Sequence, residues 1–187
     1  MIDPIFQYAS AFLLALVTGS AAASKAGQRD ILEGVIANYR VLPSILVRPT
    51  AYVLPIVECA ICLALLFPMS RHVAAAAALV LIGIFTIAIG VNLIRGRTWV
   101  DCGCFSSTLR QPISWGVVAR NAFFMIAATL PLVSSNERAV ALGDIAAAAV
   151  IAMALFVLSL AFSLIAPGRP DRDRKKSHAF ETVLRAR

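Results

Sequence analysis

Five apolar runs, each close to the length needed to cross a bilayer, divide the chain: Ile5 to Ala23, Thr50 to Pro68, Val73 to Ile94, Ile113 to Val133 and Val140 to Ala166. A helix needs about 20 apolar residues to span the hydrocarbon core. Strands of a membrane barrel would alternate apolar and polar positions, and these runs do not. The pattern therefore predicts an all-α fold, a polytopic transmembrane helical bundle of about five spans. The first run ends in small residues, GSAAAS, as a secretory signal would. Asp3 rather than a basic residue precedes it, however, and no soluble domain follows, so a retained first span is expected.

The connections carry the polar pattern. Residues 24–49 form a basic loop, in which Ile31, Val35, Ile36 and Tyr39 approach helical spacing and predict a short helix lying on the membrane surface. Pro43 and Pro49 are expected to end it before the second span, 50–68, begins. A short turn leads to the third span, 73–94. Residues 95–112 form a second loop, spans 113–133 and 140–166 follow, and 167–187 is a charged tail with no apolar face. The alanine and glycine of the third and fifth spans suit close helix approach.

Composition agrees with the pattern. Hydrophobic residues make up 60% of the chain and mean hydropathy is +0.84, against roughly 45–50% apolar residues in soluble domains. Charge then gives direction. Of seventeen Lys and Arg residues, fourteen lie in the 24–49 loop, the 95–112 loop and the tail, and two, Arg71 and Arg138, on the opposite side. Arg120 lies within the fourth span. The positive-inside rule places the N-terminus in the periplasm and the tail in the cytoplasm. The net charge of +7 is thus spread over segments facing one leaflet, with no interleaved aromatic residues in the tail. It fits attraction to anionic lipid and no nucleic-acid role.

The chemistry sits in the cysteines. All four fall in two close pairs, Cys59-Ala60-Ile61-Cys62 and Cys102-Gly103-Cys104. A helix would set Cys59 and Cys62 on one face, with Pro55 weakening the turn between them. The Cys102 pair could close only a small strained ring, and strain makes a disulfide easier to reduce. Arg95, Arg97 and Arg110 nearby would favour the thiolate. Redox exchange is the favoured reading, with two alternatives beside it. Four sulfurs could form a zinc site, though Cys-x-Cys spacing and a membrane location argue against metal, and His72 and His178 have no partner spacing. The cysteines could also be inert small core residues.

Glu58, directly before Cys59, should face the bundle interior, either as proton acceptor for the thiols or as a packing hydrogen-bond partner. Arg120 is a charge partner for it by type, but snorkelling of Arg120 to the interface is favoured. Trp99 and Trp115 read as interfacial anchors. No cofactor is implied.

Glu-Cys-x-x-Cys in the second span, then Arg95-Gly96-Arg97 and the Asp101-Cys102-Gly103-Cys104-Phe105 loop before the fourth, resemble the DoxX-like MauE family over residues 1 to about 166. Family members often continue with glycine after the phenylalanine, where this chain has Ser106. The resemblance implies an inner-membrane, multi-pass protein for processing, transport or maturation of the methylamine dehydrogenase β subunit. That subunit is periplasmic and disulfide-rich, and a thioredoxin-like MauD-type protein is the implied partner. Joined to the charge pattern, it suggests outward passage of reducing equivalents, from the Cys102 pair to the Cys59 pair to that partner. A membrane scaffold without redox chemistry is the alternative.

Overall fold

The structure is a computed structural model and describes residues 2–97, 100, 113–133 and 139–165. The Cys102 and Cys104 pair, Trp99 and the basic tail lie outside the described residues. Among the described residues six helices follow in order: α1 Pro4–Ala26, α2 Arg29–Tyr39, α3 Ser44–Leu66, α4 Arg71–Ile94, α5 Trp115–Thr129 and α6 Leu142–Ile165. A 3₁₀ turn, Leu130–Leu132, extends α5. Five of these described helices, counting α5 with that turn, are long and apolar enough to cross a membrane; among them α2 is the short exception. Among the described residues there is no strand, as the pattern of apolar runs predicts.

Local chemistry sets the helix ends. Asp3 stands in extended conformation before Pro4, and its side chain accepts from the Ile5 N–H at 3.0 Å. This satisfies one of the amides that a helix start leaves without a partner, and proline suits the first helical position. Ser114 caps α5 the same way through the Val117 N–H. At the end of α4, Gly96 takes φ +73°, where the Gly96 N–H bonds Leu93 O at 3.0 Å and the Arg97 N–H bonds Asn92 O at 2.9 Å. The glycine of the Arg-Gly-Arg element is thus the left-handed residue that stops α4.

Inside the spans, hydroxyl groups bond back to their own helix. Thr18 donates to Leu14 O at 2.8 Å, Ser10 to Gln7 O at 3.0 Å and Thr86 to Ile82 O at 2.7 Å. Where no water is available, such bonds keep polar side chains satisfied. Helix α1 is the centre of the bundle, packing chiefly on α3 and α6, while α4 packs on α5. Leu13, Leu14, Ile61, Leu65, Ala75, Ala78 and Phe124 form the core there. Outward-facing side chains such as Ile45, Val73, Ile87 and Leu142 are large and apolar, the surface a lipid environment favours.

Of the boundaries that differ from the sequence reading, two move the site. Helix α3 starts at Ser44 rather than Thr50 and runs through Pro49 and Pro55 without interruption. Each proline removes only one backbone hydrogen bond, a loss membrane helices tolerate. Cys59 consequently stands fifteen residues after Ser44, and Cys62 four before Leu66, so the pair lies toward the α3–α4 turn. Lys25 belongs to the last turn of α1 instead of the loop, and it is buried.

Candidate functional site: a buried ion pair beside a cysteine pair

Helices α1 and α3 run antiparallel, which brings the end of α1 to the level of Glu58 on α3. The Lys25 ammonium donates to Glu58 Oε1, with the two side chains 5% and 4% exposed. The same ammonium lies 5.0 Å from the centroid of the Phe85 ring on α4, a cation–π contact that adds to its stabilisation. A carboxylate inside a membrane bundle is costly unless paired, and the pair explains how Glu58 is kept there. Glu58 Oε2 is buried with no hydrogen-bond partner.

The ion-pair partner of Glu58 is Lys25 and not Arg120. Arg120 is buried, and its guanidinium donates to Ser163 Oγ on α6 at 2.6 Å. Yet Arg120 and Asn121 share with Lys25, Glu58 and Thr18 the lining of a small cavity of about 50 Å³. Polar groups from α1, α3 and α5 therefore converge inside an apolar bundle. Sequence reasoning singled out Glu58 and Arg120 but missed Lys25, which a count of basic residues assigns to the loop. The available signal was chain order: Lys25 closes the first span, and a lysine side chain is long enough to reach a neighbouring helix from there.

The two cysteines of α3 are both thiols and have different surroundings. Cys59 is exposed on the outer face of the helix, whereas Cys62 is half-buried against α1. Its Sγ lies 3.2 Å from Ala15 O. Gly19 provides the seat: a Cβ built there would stand 2.9 Å from Cys62 Sγ. Substituting Gly19→Ala should therefore force the thiol to rotate off Ala15 O or push the helices apart. A loss of about 1–3 kcal/mol is expected, as for other overpacked contacts. Thermal unfolding of purified protein would measure it, and Gly19→Ala/Cys62→Ala should recover most of the loss. An additive double variant would disprove the contact.

The other cysteine pair is bracketed rather than described. Val100 and Ile113 are both buried, and the Ile113 N–H donates to Val100 O at 2.9 Å. They pack with Tyr39, Ile89 and Val117, where the ends of α2, α4 and α5 meet. Asn92, fully buried, ties this junction by donating from Nδ2 to Tyr39 O at 3.2 Å and Ala88 O at 3.0 Å. Val100 and Ile113, on either side of residues 101–112, are thus pinned to each other in one neck. Along the bundle the order is neck, ion pair, cysteine pair. Ile89 of the neck is one helical turn from Phe85, and Cys62 is one turn beyond Glu58, with the Lys25 ammonium between Phe85 and Glu58.

Comparison with known proteins places these residues in context. A family model described as methylamine utilisation protein MauE matches residues 3–134, which include Lys25, Glu58, all four cysteines and Arg120. The chain is similar to the methylamine utilization protein MauE of Paracoccus versutus, 38% identical over 175 residues and 91% of each chain. It is also similar to that of Paracoccus denitrificans, 42% identical over 121 residues and 65% of each chain. With the Methylophilus methylotrophus protein it is 43% identical over 112 residues, 60% of this chain and 57% of the relative. The chain therefore spans less than two thirds of the P. denitrificans and M. methylotrophus relatives in these alignments. No solved structure matches the chain.

Proposed function

The chain belongs to the family of methylamine utilisation protein MauE, a multi-pass membrane protein family by its helices, and on that premise we propose that it matures the methylamine dehydrogenase β subunit by thiol–disulfide exchange. The β subunit is reached through a periplasmic thioredoxin-like protein of MauD type. The protein lies in the inner membrane with its N-terminus in the periplasm and its C-terminus in the cytoplasm, the orientation the asymmetry of basic residues favours.

The observation that carries the reading is the α3 dithiol itself. Cys59 and Cys62 are thiols three residues apart, one exposed and one held by α1, directly after the buried Glu58. An exposed thiol can attack a partner's disulfide while a seated thiol resolves the mixed disulfide. Two thiols become one disulfide, the partner's disulfide becomes two thiols, and two electrons pass with two protons. Glu58 is the proton acceptor in this scheme. Reducing equivalents would arrive from the Cys102 pair.

Trapping tests the exchange. With Cys62→Ser, the mixed disulfide formed at Cys59 has no resolving thiol and should persist. Non-reducing electrophoresis of alkylated membranes should then reveal a reducible adduct, identified by mass spectrometry as a thioredoxin-like protein. Wild type should show at most traces of the adduct. Equal absence of adducts from Cys62→Ser and from a variant lacking both α3 cysteines would refute exchange at this pair.

A further inference from the structure

Between α2, α3 and α4 lies a cavity of about 340 Å³, distinct from the small polar pocket and touched by neither cysteine of α3. Its walls are almost wholly apolar, among them Leu32, Val35, Leu54, Phe85 and Ala88. Val41 and Leu42, in the connection after α2, line it too and are exposed, so the mouth is apolar as well. At the inner end stands one charged group, Lys25.

The chemistry of that end selects an occupant. Lys25 is neutralised by Glu58, so a charged head group would be buried against a pair with no net charge, at high cost. An ammonium carries three N–H donors, and Glu58 Oε1 takes one. A neutral carbonyl oxygen could accept another. Phe85 also lines the cavity beside Lys25, so a second ring bound there could meet the Phe85 edge. Lys25, Leu81 and Phe85 also border the neighbouring pocket, where Glu58 Oε2 is a buried acceptor without a partner. The site thus offers a donor with an acceptor close behind it.

Size agrees. An apolar cavity of about 150 Å³ holds a benzene molecule, so this one, at about 340 Å³, accommodates a substituted single or fused double ring whose tail leaves by the mouth. We propose that the α2–α3–α4 cavity binds a lipid-soluble quinone, with the ring against Phe85 and one carbonyl oxygen on Lys25. A phospholipid fits less well, because its phosphate would have to be buried at the neutral pair or its carbonyl left outside. The assignment concerns binding alone and holds whether or not the cysteine pairs exchange disulfides.

The test uses the full chain in lipid nanodiscs, titrated with decylubiquinone, with decylbenzene as a probe of equal tail and no carbonyl. Saturable one-site binding of decylubiquinone is expected. Ala88→Phe, which fills the cavity from α4, should weaken it at least about tenfold, with Val35→Phe on α2 as the second filling variant. The charge-free Lys25→Met/Glu58→Met variant should lose about tenfold for decylubiquinone, the value of one well-placed hydrogen bond. It should bind decylbenzene as wild type does. Wild-type affinity in both filling variants, or no saturable binding, would overturn the proposal. Displacement of the quinone by short-chain phosphatidylcholine at equal concentration would overturn it too, making the cavity an acyl slot.

Discussion

Replacing Lys25 with methionine should be the most destabilising single change in the bundle. The substitution leaves a carboxylate 3% exposed among apolar helices, with its nearest counter-charge removed. Breaking a buried pair from one side costs about 3–5 kcal/mol, which at 1.4 kcal/mol per decade shifts the folded population by two to three orders of magnitude, roughly. The protein should accumulate poorly in membranes, and the unfolding midpoint of what is purified should drop by roughly 10 °C. Glu58→Gln should cost less. The amide keeps the shape, and Lys25, in the last turn of α1, can turn its ammonium toward the interface.

Removing both charges discriminates between a pair that stabilises and one that only tolerates itself. Lys25→Met/Glu58→Met should recover most of the loss, because apolar residues of similar volume often replace a buried pair without penalty. Arg120 faces the same cavity, and its rotation from Ser163 Oγ toward Glu58 is the route by which the Lys25→Met penalty would be softened. Unfolding midpoints of the single and double variants, read as a cycle, give the coupling directly. A Lys25→Met protein as stable as wild type would mean that Glu58 is not held by the ion pair.

The bundle was legible because membrane spans are written in long apolar runs, and every helix that could cross a membrane coincides with one of them. What escaped was whatever depended on pairing between spans. Lys25 follows an apolar run and precedes a polar one, so a linear count places it in water, while its actual environment is set by Glu58 thirty-three residues later. The start of α3 was hidden by Pro43 and Pro49, since proline marks breaks in water-soluble helices but is accommodated within membrane ones. The role of Gly96 became clear only from its positive φ and the two hydrogen bonds that close α4. Gly19 carried no signal at all, because its significance is the sulfur of Cys62 on another helix.

Serine in place of either cysteine pair should abolish maturation, and at the α3 pair it should leave the protein in the membrane. The first half follows from the chemistry: serine has no thiolate, so neither a mixed disulfide nor its resolution can form. The second half follows from the structure. Cys59 is exposed and Cys62 only half-buried, and a hydroxyl at position 62 can still donate to Ala15 O, where the thiol now lies at 3.2 Å. Cys59→Ser/Cys62→Ser should therefore accumulate as wild type does, with the amount of Cys102→Ser/Cys104→Ser protein measured beside it. Mature, correctly bridged methylamine dehydrogenase β subunit should fall at least about tenfold, consistent with losing a reacting group rather than a packing contact. Immunoblotting of periplasmic extracts after thiol alkylation measures both quantities in one sample. A scaffold that merely holds its partner would give normal β subunit from both variants. The direction of transfer can be read from the same strains. If the protein carries reducing equivalents outward, a low concentration of dithiothreitol in the medium should restore maturation to the serine variants and cystine should not. The opposite pattern would assign it to the oxidising side of the exchange.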